Sequence, residues 1–344
     1  MSVRVGLLGA TGAVGQRFVQ LLDDHPTFEI AAVTASPDSA GESYRDAAKW
    51  RVDTPIPEDV AGMTVLETSP EALPDDLDLL FSSLPSSVGA EVEPELCEAG
   101  YVVSSNSSNE RMAADVPLTI PEVNPDHLDL IETQREQRGW DGALVKNPNC
   151  STITMTPTLA ALDQFGLERV HVATLQAVSG AGYSGVTSME IIDNVLPHIG
   201  GEEEKMETES RKLLGSVDDG ELSLHDVEVS ASCNRVPSLD GHLENVFAEL
   251  DANLSVEEVH EALLDLDAAD LPSAPDQPIH VFDDPERPQP RLDRMRGQGM
   301  QISAGGLQAT DEGIQYNCLA HNTIRGAAGA SVLNGELLVE EGWI

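Results

Sequence analysis

The sequence predicts an α/β chain, with a doubly wound parallel sheet in its first half joined to an α+β unit in its second. Three observations lead there. Short apolar runs alternate with amphipathic stretches up to about residue 149. The first run ends in a glycine-rich turn that opens a helix. Beyond residue 149 the runs lengthen and that alternation stops. At 344 residues the chain is long enough for about two domains of roughly 150 residues each, and its 40% hydrophobic residues suffice to fill their cores.

In chain order, residues 3–9, 28–34, 77–83, 101–104 and 143–146 read as strands, near-continuously apolar as strands buried on both faces are. Residues 13–23 and 87–99 carry apolar positions at helical spacing and read as crossover helices. In the second half, 151–162, 185–196, 202–214 and 256–266 read as helices, and 169–178, 227–236 and 242–250 as longer strands, the last two resembling a hairpin. Residues 271–290 hold six prolines and read as a meandering surface loop. The stretch 324–339 is helical and apolar enough to pack on something. The expected division is 1–148, completed by the C-terminal helix 323–344, and 149–322.

Nineteen Lys and Arg against 60 Asp and Glu leave a net charge of −41, and only four of the cations are lysines: Lys49, Lys146, Lys205 and Lys212. The carboxylates are spread along the whole chain. Dispersed acid with scarce lysine suits molar salt, where the Debye length falls to about 3 Å and self-repulsion is screened. Such a surface repels nucleic acid and anionic membranes, so neither is an expected partner. A small anionic ligand needs a locally positive pocket. No basic segment precedes an apolar stretch at the start, and no apolar run reaches about 18 residues, so a cytoplasmic location is expected. Cys97, Cys150, Cys233 and Cys318 are scattered with no CxxC pair, which speaks against a disulfide framework and a structural zinc; no metal is expected.

Gly9-Ala-Thr-Gly12-Ala-Val-Gly15 follows the first strand and opens the first helix. Gly12 lets the backbone approach a pyrophosphate, and the free N–H groups of the helix start favour its charge. The first domain therefore reads as a Rossmann-like dinucleotide-binding domain. The second strand ends in Thr34-Ala-Ser36-Pro-Asp-Ser39, without the acidic residue that binds both ribose hydroxyls of NAD. Ser36 and Ser39 suit a 2′-phosphate better, and NADP(H) is the expected cofactor, although the loop has no arginine and Asp38 opposes a phosphate.

Asn147-Pro-Asn-Cys150-Ser-Thr places a cysteine at a helix start, directly after a strand, where the positive end of the helix lowers a thiol pKa. Arg235 and His242, with six residues between them and β-like runs on either side, would face each other at roughly 5 Å across a hairpin. A guanidinium for a carboxylate and an imidazole for proton transfer would then come from one element.

These motifs together resemble the aspartate-semialdehyde dehydrogenases, in particular their archaeal and fungal branch, over nearly the entire chain. Gln176-Ala-Val-Ser179-Gly180, Gly200-Gly-Glu-Glu-Glu-Lys205 and Asn322-Thr-Ile-Arg-Gly-Ala-Ala328 add to the match in order. The resemblance implies an α+β catalytic and dimerisation domain behind the nucleotide domain. It makes Cys150 the nucleophile that carries an acyl-thioester and His242 the general acid/base. Gln176 would orient the substrate, Arg235 grip its α-carboxylate, Glu202 take its α-ammonium, and Arg111 with Lys205 bind its phosphoryl group. Glu202 is chosen from three adjacent glutamates by spacing alone; Glu203 and Glu204 fit a solvated helix face equally well. Gly9, Thr11, Gly12, Ala13, Val14, Gly15, Ser36, Ser39 and Ser83, with Ser179, Gly180 and Asn322, would form the cofactor site.

The implied reaction is NADPH-dependent reductive dephosphorylation of L-4-aspartyl phosphate to L-aspartate 4-semialdehyde, feeding lysine, threonine and methionine synthesis. A homodimer or homotetramer is expected, in a halophilic archaeon. Two other readings use the same residues. One is an N-acetylglutamyl-phosphate reductase or malonyl-CoA reductase. The first has no free ammonium for Glu202 to meet, and the second calls for a basic patch for its nucleotide. The other is a non-catalytic NADP-binding sensor, against which the joint presence of Cys150, His242, Arg235, Gln176 and Lys205 speaks.

Overall fold

The computed structural model describes residues 2–252 and 254–344. In the first half, β1 (Val3–Leu8), β2 (Phe28–Ala35), β3 (Val65–Glu67), β4 (Leu79–Ser82), β5 (Val102–Ser105) and β6 (Ala143–Lys146) form one sheet in the order β3-β2-β1-β4-β5-β6. All five pairings are parallel, as the unbroken apolar runs require; every residue of β4, β5 and β6 is buried. The order reverses between β1 and β4, which opens a crevice at the C-terminal ends of those two strands. Helices α1 (Ala13–Leu21), α2 (Ser86–Glu98) and α3 (Leu130–Arg138) lie in the connections.

Two of these elements lie outside the sequence expectation. The edge strand β3 has three residues, too few to set a pattern. α3, LIETQREQR, buries only Leu130, Ile131 and Gln134 and reads as polar. At the β1–α1 turn Gly9 has φ +74°, and a Cβ on Gly15 would stand 2.3 Å from the Gly9 carbonyl oxygen, so both glycines are demanded by the turn itself.

The second half is built on β7 (Leu167–Gln176), β10 (Glu228–Arg235), β11 (His242–Leu250), β12 (Ile279–Phe282), β13 (Ile302–Ala309) and β14 (Gly313–Ala320), ordered β10-β7-β11-β14-β13-β12. A small ribbon, β8 (Ser216–Asp218) with β9 (Glu221–Ser223), stands apart. α4 (Cys150–Asp163), α5 (Glu202–Leu213) and α6 (Val256–Leu264) pack on this sheet. On the other face His171, Ala173 and Asn245 are exposed, and the rings of His171 and Phe247 stack at 6.5 Å.

The hairpin expected from 227–236 and 242–250 does not form. β7 lies between the two strands, parallel to β10 and antiparallel to β11. The six-residue connection, too long for a tight turn, crosses the end of β7; its Ser238 and Leu239 carbonyls accept from Val178 and Ser179 N–H at 2.9 and 3.1 Å. The helix expected over 185–196 shrinks to one turn, Ser188–Ile191, because Gly185 and Asp193 adopt φ of +42° and +58°. The proline-rich stretch 271–290 encloses β12, whose Ile279 and Val281 are buried beside β13.

The terminal stretch is helical, as the sequence suggests: a short π-turn, Ile324–Ala328, runs into α7 (Gly329–Glu340). It packs on the first sheet, where Ala328, Val332, Leu337 and Leu338 share a core with Phe18, Phe28 and Phe81. Phe18 and Phe81 stack at 5.2 Å, with Phe28 edge-on to Phe81 at 5.4 Å.

Candidate active site

β6 delivers the chain to Asn149, whose side-chain oxygen accepts from Ser151 and Thr152 N–H at 2.9 and 3.2 Å and so caps α4. Cys150 is the first residue of that helix. Its Sγ lies 3.3 Å from His242 Nε2, and His242 is fully buried at the start of β11. The three residues that hairpin pairing would have brought only partly together sit at the ends of three adjacent strands. Arg235 is in register with Gln176 on β7, and β11 begins on the other side of Gln176. Ala177 links the outer two: its N–H donates to His242 Nδ1 at 3.1 Å, and its carbonyl accepts from Arg235 Nη1 at 2.8 Å.

The first turn of α5 brings Glu202 into this group. One oxygen accepts from Lys205 Nζ at 2.8 Å; the other accepts from Asn149 Nδ2 at 2.9 Å and Gln176 Nε2 at 3.1 Å. Of the three consecutive glutamates, Glu202 is the one in the cleft wall; Glu203 turns to Cys233 N–H and Glu204 is exposed. Arg111 is buried, donating from Nη1 to Glu209 at 2.9 Å and from Nη2 to the Asn106 carbonyl at 2.7 Å. Asn322 donates to Ser179 Oγ at 2.9 Å and accepts from Gly241 N–H at 2.8 Å, and Ser83 Oγ donates to the Leu8 carbonyl at 2.9 Å.

A cleft of about 570 Å³ runs between the two halves. Its walls include Cys150, Arg111, Gln176, Glu202, Lys205 and Arg235, together with Ala13, Val14, Ser83, Ser179, Gly180 and Asn322. His242 stands directly behind the sulfur. Gly9, Thr11, Gly12 and Gly15 belong to the turn behind Ala13 and Val14 rather than to the walls. Ser36 and Ser39 lie further out, around a single exposed turn at the end of β2.

The resting charges differ from the expectation drawn from the helix start. Burial, and then the Glu202 carboxylate, push the Cys150 thiol up to about 12, against the pull of Arg235 and Arg111. Burial, and then Arg235, push His242 down to about 3. The pair therefore rests as thiol and neutral imidazole. Because Nδ1 accepts the Ala177 N–H, the neutral ring keeps its proton on Nε2, facing the sulfur. Burial acts to raise Glu202, but Lys205, Asn149 and Gln176 outweigh it and hold the carboxylate below its ordinary range. Glu244, two residues beyond His242 on β11, is raised well above its ordinary range by burial.

Sequence reasoning missed Ala177, Glu209 and Glu244. Ala177 acts through its peptide group and leaves no mark in residue type. Glu209 follows Glu202 by seven residues, two helical turns on the same face, and that spacing was the available signal. Among the described residues no helix is long and apolar enough to cross a membrane.

Comparison with known proteins identifies the family. The family model described as semialdehyde dehydrogenase, NAD binding domain, matches residues 4–131, and the one described as semialdehyde dehydrogenase, dimerisation domain, matches 159–325. The chain is 52% identical to an aspartate-semialdehyde dehydrogenase of Methanothermobacter thermautotrophicus, over 98% of this chain and 99% of that one. It is 44% identical to that of Schizosaccharomyces pombe, over 98% of each. The crystal structure of the Candida albicans enzyme with NADP superposes with a TM-score of 0.91 at 40% identity, covering 100% of both chains. With this much identity along its whole length, the chain belongs to the aspartate-semialdehyde dehydrogenase family.

Proposed function

We propose that this chain catalyses the NADPH-dependent reductive dephosphorylation of L-4-aspartyl phosphate to L-aspartate 4-semialdehyde, through a thioester on Cys150. The observation that carries this is the cysteine itself: its sulfur is 3.3 Å from His242 Nε2, in a cleft that also presents two guanidiniums, an ammonium and one carboxylate. Arg235 takes the α-carboxylate and Glu202 the α-ammonium, on either side of Gln176. Arg111 and Lys205 take the phosphoryl group, which brings the acyl carbon to Cys150 Sγ. The ammonium offsets Glu202, the carboxylate that, after burial, most holds the thiol up.

Attack forms the C–S bond and breaks the C–O bond to phosphate, and the thiol proton leaves with the phosphate. NADPH, when held at the Gly9–Gly15 turn, would supply the hydride for the thioester carbon. The sulfur then departs as thiolate against the His242 Nε2–H, which stabilises it as a fixed hydrogen-bond donor. One proton is consumed overall, as the stoichiometry requires. Glu202 supports a substrate with a free ammonium over an N-acetylated one.

The residues present fit the dinucleotide. α1 begins at Ala13 behind Gly12, which supplies no side-chain cap, so its first N–H groups are left for an anion. Packing does not demand glycine at position 12: a Cβ there would meet nothing closer than 3.4 Å. Gly12→Ala is therefore expected to raise the KM for NADP(H) by roughly tenfold or more while leaving the unfolding midpoint near wild type. Gly15→Ala is expected to lower stability by about 1–3 kcal/mol through overpacking. Urea unfolding and cofactor titration of the two variants check the contrast; equal effects on both properties would remove the cofactor role from Gly12.

The direct test follows NADPH formation from L-aspartate 4-semialdehyde with phosphate in molar KCl. Turnover with this aldehyde and none with N-acetylglutamate semialdehyde is the expected result. A folded, NADP-binding protein inactive on the first aldehyde would overturn the reading.

The same reading carries the wider expectations. The product feeds lysine, threonine and methionine synthesis in the cytoplasm. The open sheet face around His171, Phe247 and Asn245 meets a second copy of the chain, as the description of the matching dimerisation domain supports, in a homodimer or homotetramer. The chain divides into 1–148 with 323–344, and 149–322. Its source is a halophilic archaeon: the net charge is −41 and, of four lysines, Lys146 and Lys212 are fully buried.

A further inference from the structure

We propose that Glu209 is a positioning residue that holds the phosphoryl-binding arginine and the nucleophile's loop in one frame. The proposal rests on the roles given above to Arg111 and Cys150. Glu209 lies on α5, two turns beyond Glu202, and is 2% exposed. Its Oε1 accepts from Arg111 Nη1 at 2.9 Å and its Oε2 accepts from the Asn149 N–H at 2.6 Å. Asn149 is the cap of α4 and the residue before Cys150. One carboxylate thus ties the loop after β5 to the loop after β6, and both to a helix of the second half.

The same helix fixes the Arg111 loop a second time. Lys212 Nζ donates to the carbonyls of Arg111, Ala113 and Val116 at 2.8, 2.7 and 2.6 Å. Lys212 therefore sets the backbone of residue 111, and Glu209 sets the direction of its side chain. A guanidinium has five N–H donors. One Nη1 donor is spent on Glu209 and one Nη2 donor on the Asn106 carbonyl, and the buried Nε has no partner. Enough of the fork remains for a phosphoryl group, aimed by the bond to Glu209.

Removing the charge of Glu209 leaves the guanidinium without its only carboxylate partner among the described residues and free to turn to other acceptors. The loss should fall on the step that uses phosphate. In Glu209→Gln the amide oxygen can still accept the Asn149 N–H, so the chemistry at sulfur, held by His242 and the Asn149 cap, should be spared. A residue that merely stabilised the fold would damage both together.

The measurement separates the half-reactions. With semialdehyde and NADP but no phosphate, the NADPH burst counts thioester formation at Cys150; with phosphate, steady-state turnover gives the phosphate KM. Glu209→Gln is expected to keep the burst amplitude within about twofold and to raise the phosphate KM roughly tenfold or more. Glu209→Asp, which keeps the charge and shortens its reach, should fall between, and supplies the reading if the Gln variant does not fold. The double variant Arg111→Gln/Glu209→Gln should be no worse than Arg111→Gln alone, because Glu209 acts through Arg111. An unchanged phosphate KM, additive effects in the double variant, or burst and KM failing together would each overturn the proposal. Absence of a burst in the wild type would instead defeat the thioester reading on which it stands.

Discussion

Cys150→Ala is expected to yield a folded protein that still binds NADP(H) and turns over at less than about 10⁻⁴ of the wild-type rate. Without sulfur there is no thioester, and no other nucleophilic thiol lines the cleft; Cys97, Cys233 and Cys318 are all buried elsewhere. The fold should tolerate the change because alanine keeps the Cβ that faces Gly326. A Cβ built on Gly326 would lie 2.8 Å from the Cys150 Cβ, and that contact surface is the same for alanine. The check is the phosphate-dependent assay beside a thermal midpoint. A variant that kept more than about one per cent of activity with the same midpoint would end the covalent mechanism.

His242→Asn should lower kcat by roughly 10²–10³, the cost of losing a fixed donor to the departing sulfur. Asparagine retains an acceptor for the Ala177 N–H but presents nothing to the sulfur. The pH behaviour is the sharper readout. With His242 pushed down to about 3, the free enzyme should show no histidine ionisation in kcat/KM between pH 5 and 8. The stability sign follows from the same shift. The folded pKa lies below the unfolded value of about 6.5, so the unfolded chain binds the extra proton. The histidine's contribution to stability is then lost progressively as pH falls from about 6.5 toward 3. Thermal midpoints of wild type and His242→Asn at pH 7 and pH 4.5 test this: the wild type should lose ground to the variant at the lower pH, and parallel shifts would show that His242 is protonated in the native state.

Parallel strands announce themselves as unbroken apolar runs, and the Gly9–Gly15 turn is local, so the first sheet was legible nearly strand by strand. The second sheet was not. Whether 227–236 pairs with 242–250 depends on where the distant strand β7 inserts, and no local pattern encodes that. Short elements such as β3 and β12 fall below the length at which alternation registers. The motif residues Cys150, Arg235, Gln176 and His242 were readable by type and order, but the peptide of Ala177 that binds two of them is invisible in a sequence. The thiol's charge state was misjudged because a helix start is local and burial beside Glu202 is not.

The place of α7 bears on how the chain reaches its native state. The sheet made from residues 3–146 needs Val332, Leu337 and Leu338 to close its core over Phe18, Phe28 and Phe81. Those residues leave the ribosome after every strand of the second sheet. The half synthesised first is therefore completed last, and its aromatic face stays uncovered while translation runs through the other half. Vectorial synthesis brings out the strands of the second sheet before the helix that closes the first. Until α7 emerges, that exposed face must be kept from associating, a task for which the chain's dense carboxylates are suited in dilute salt and less so when screened.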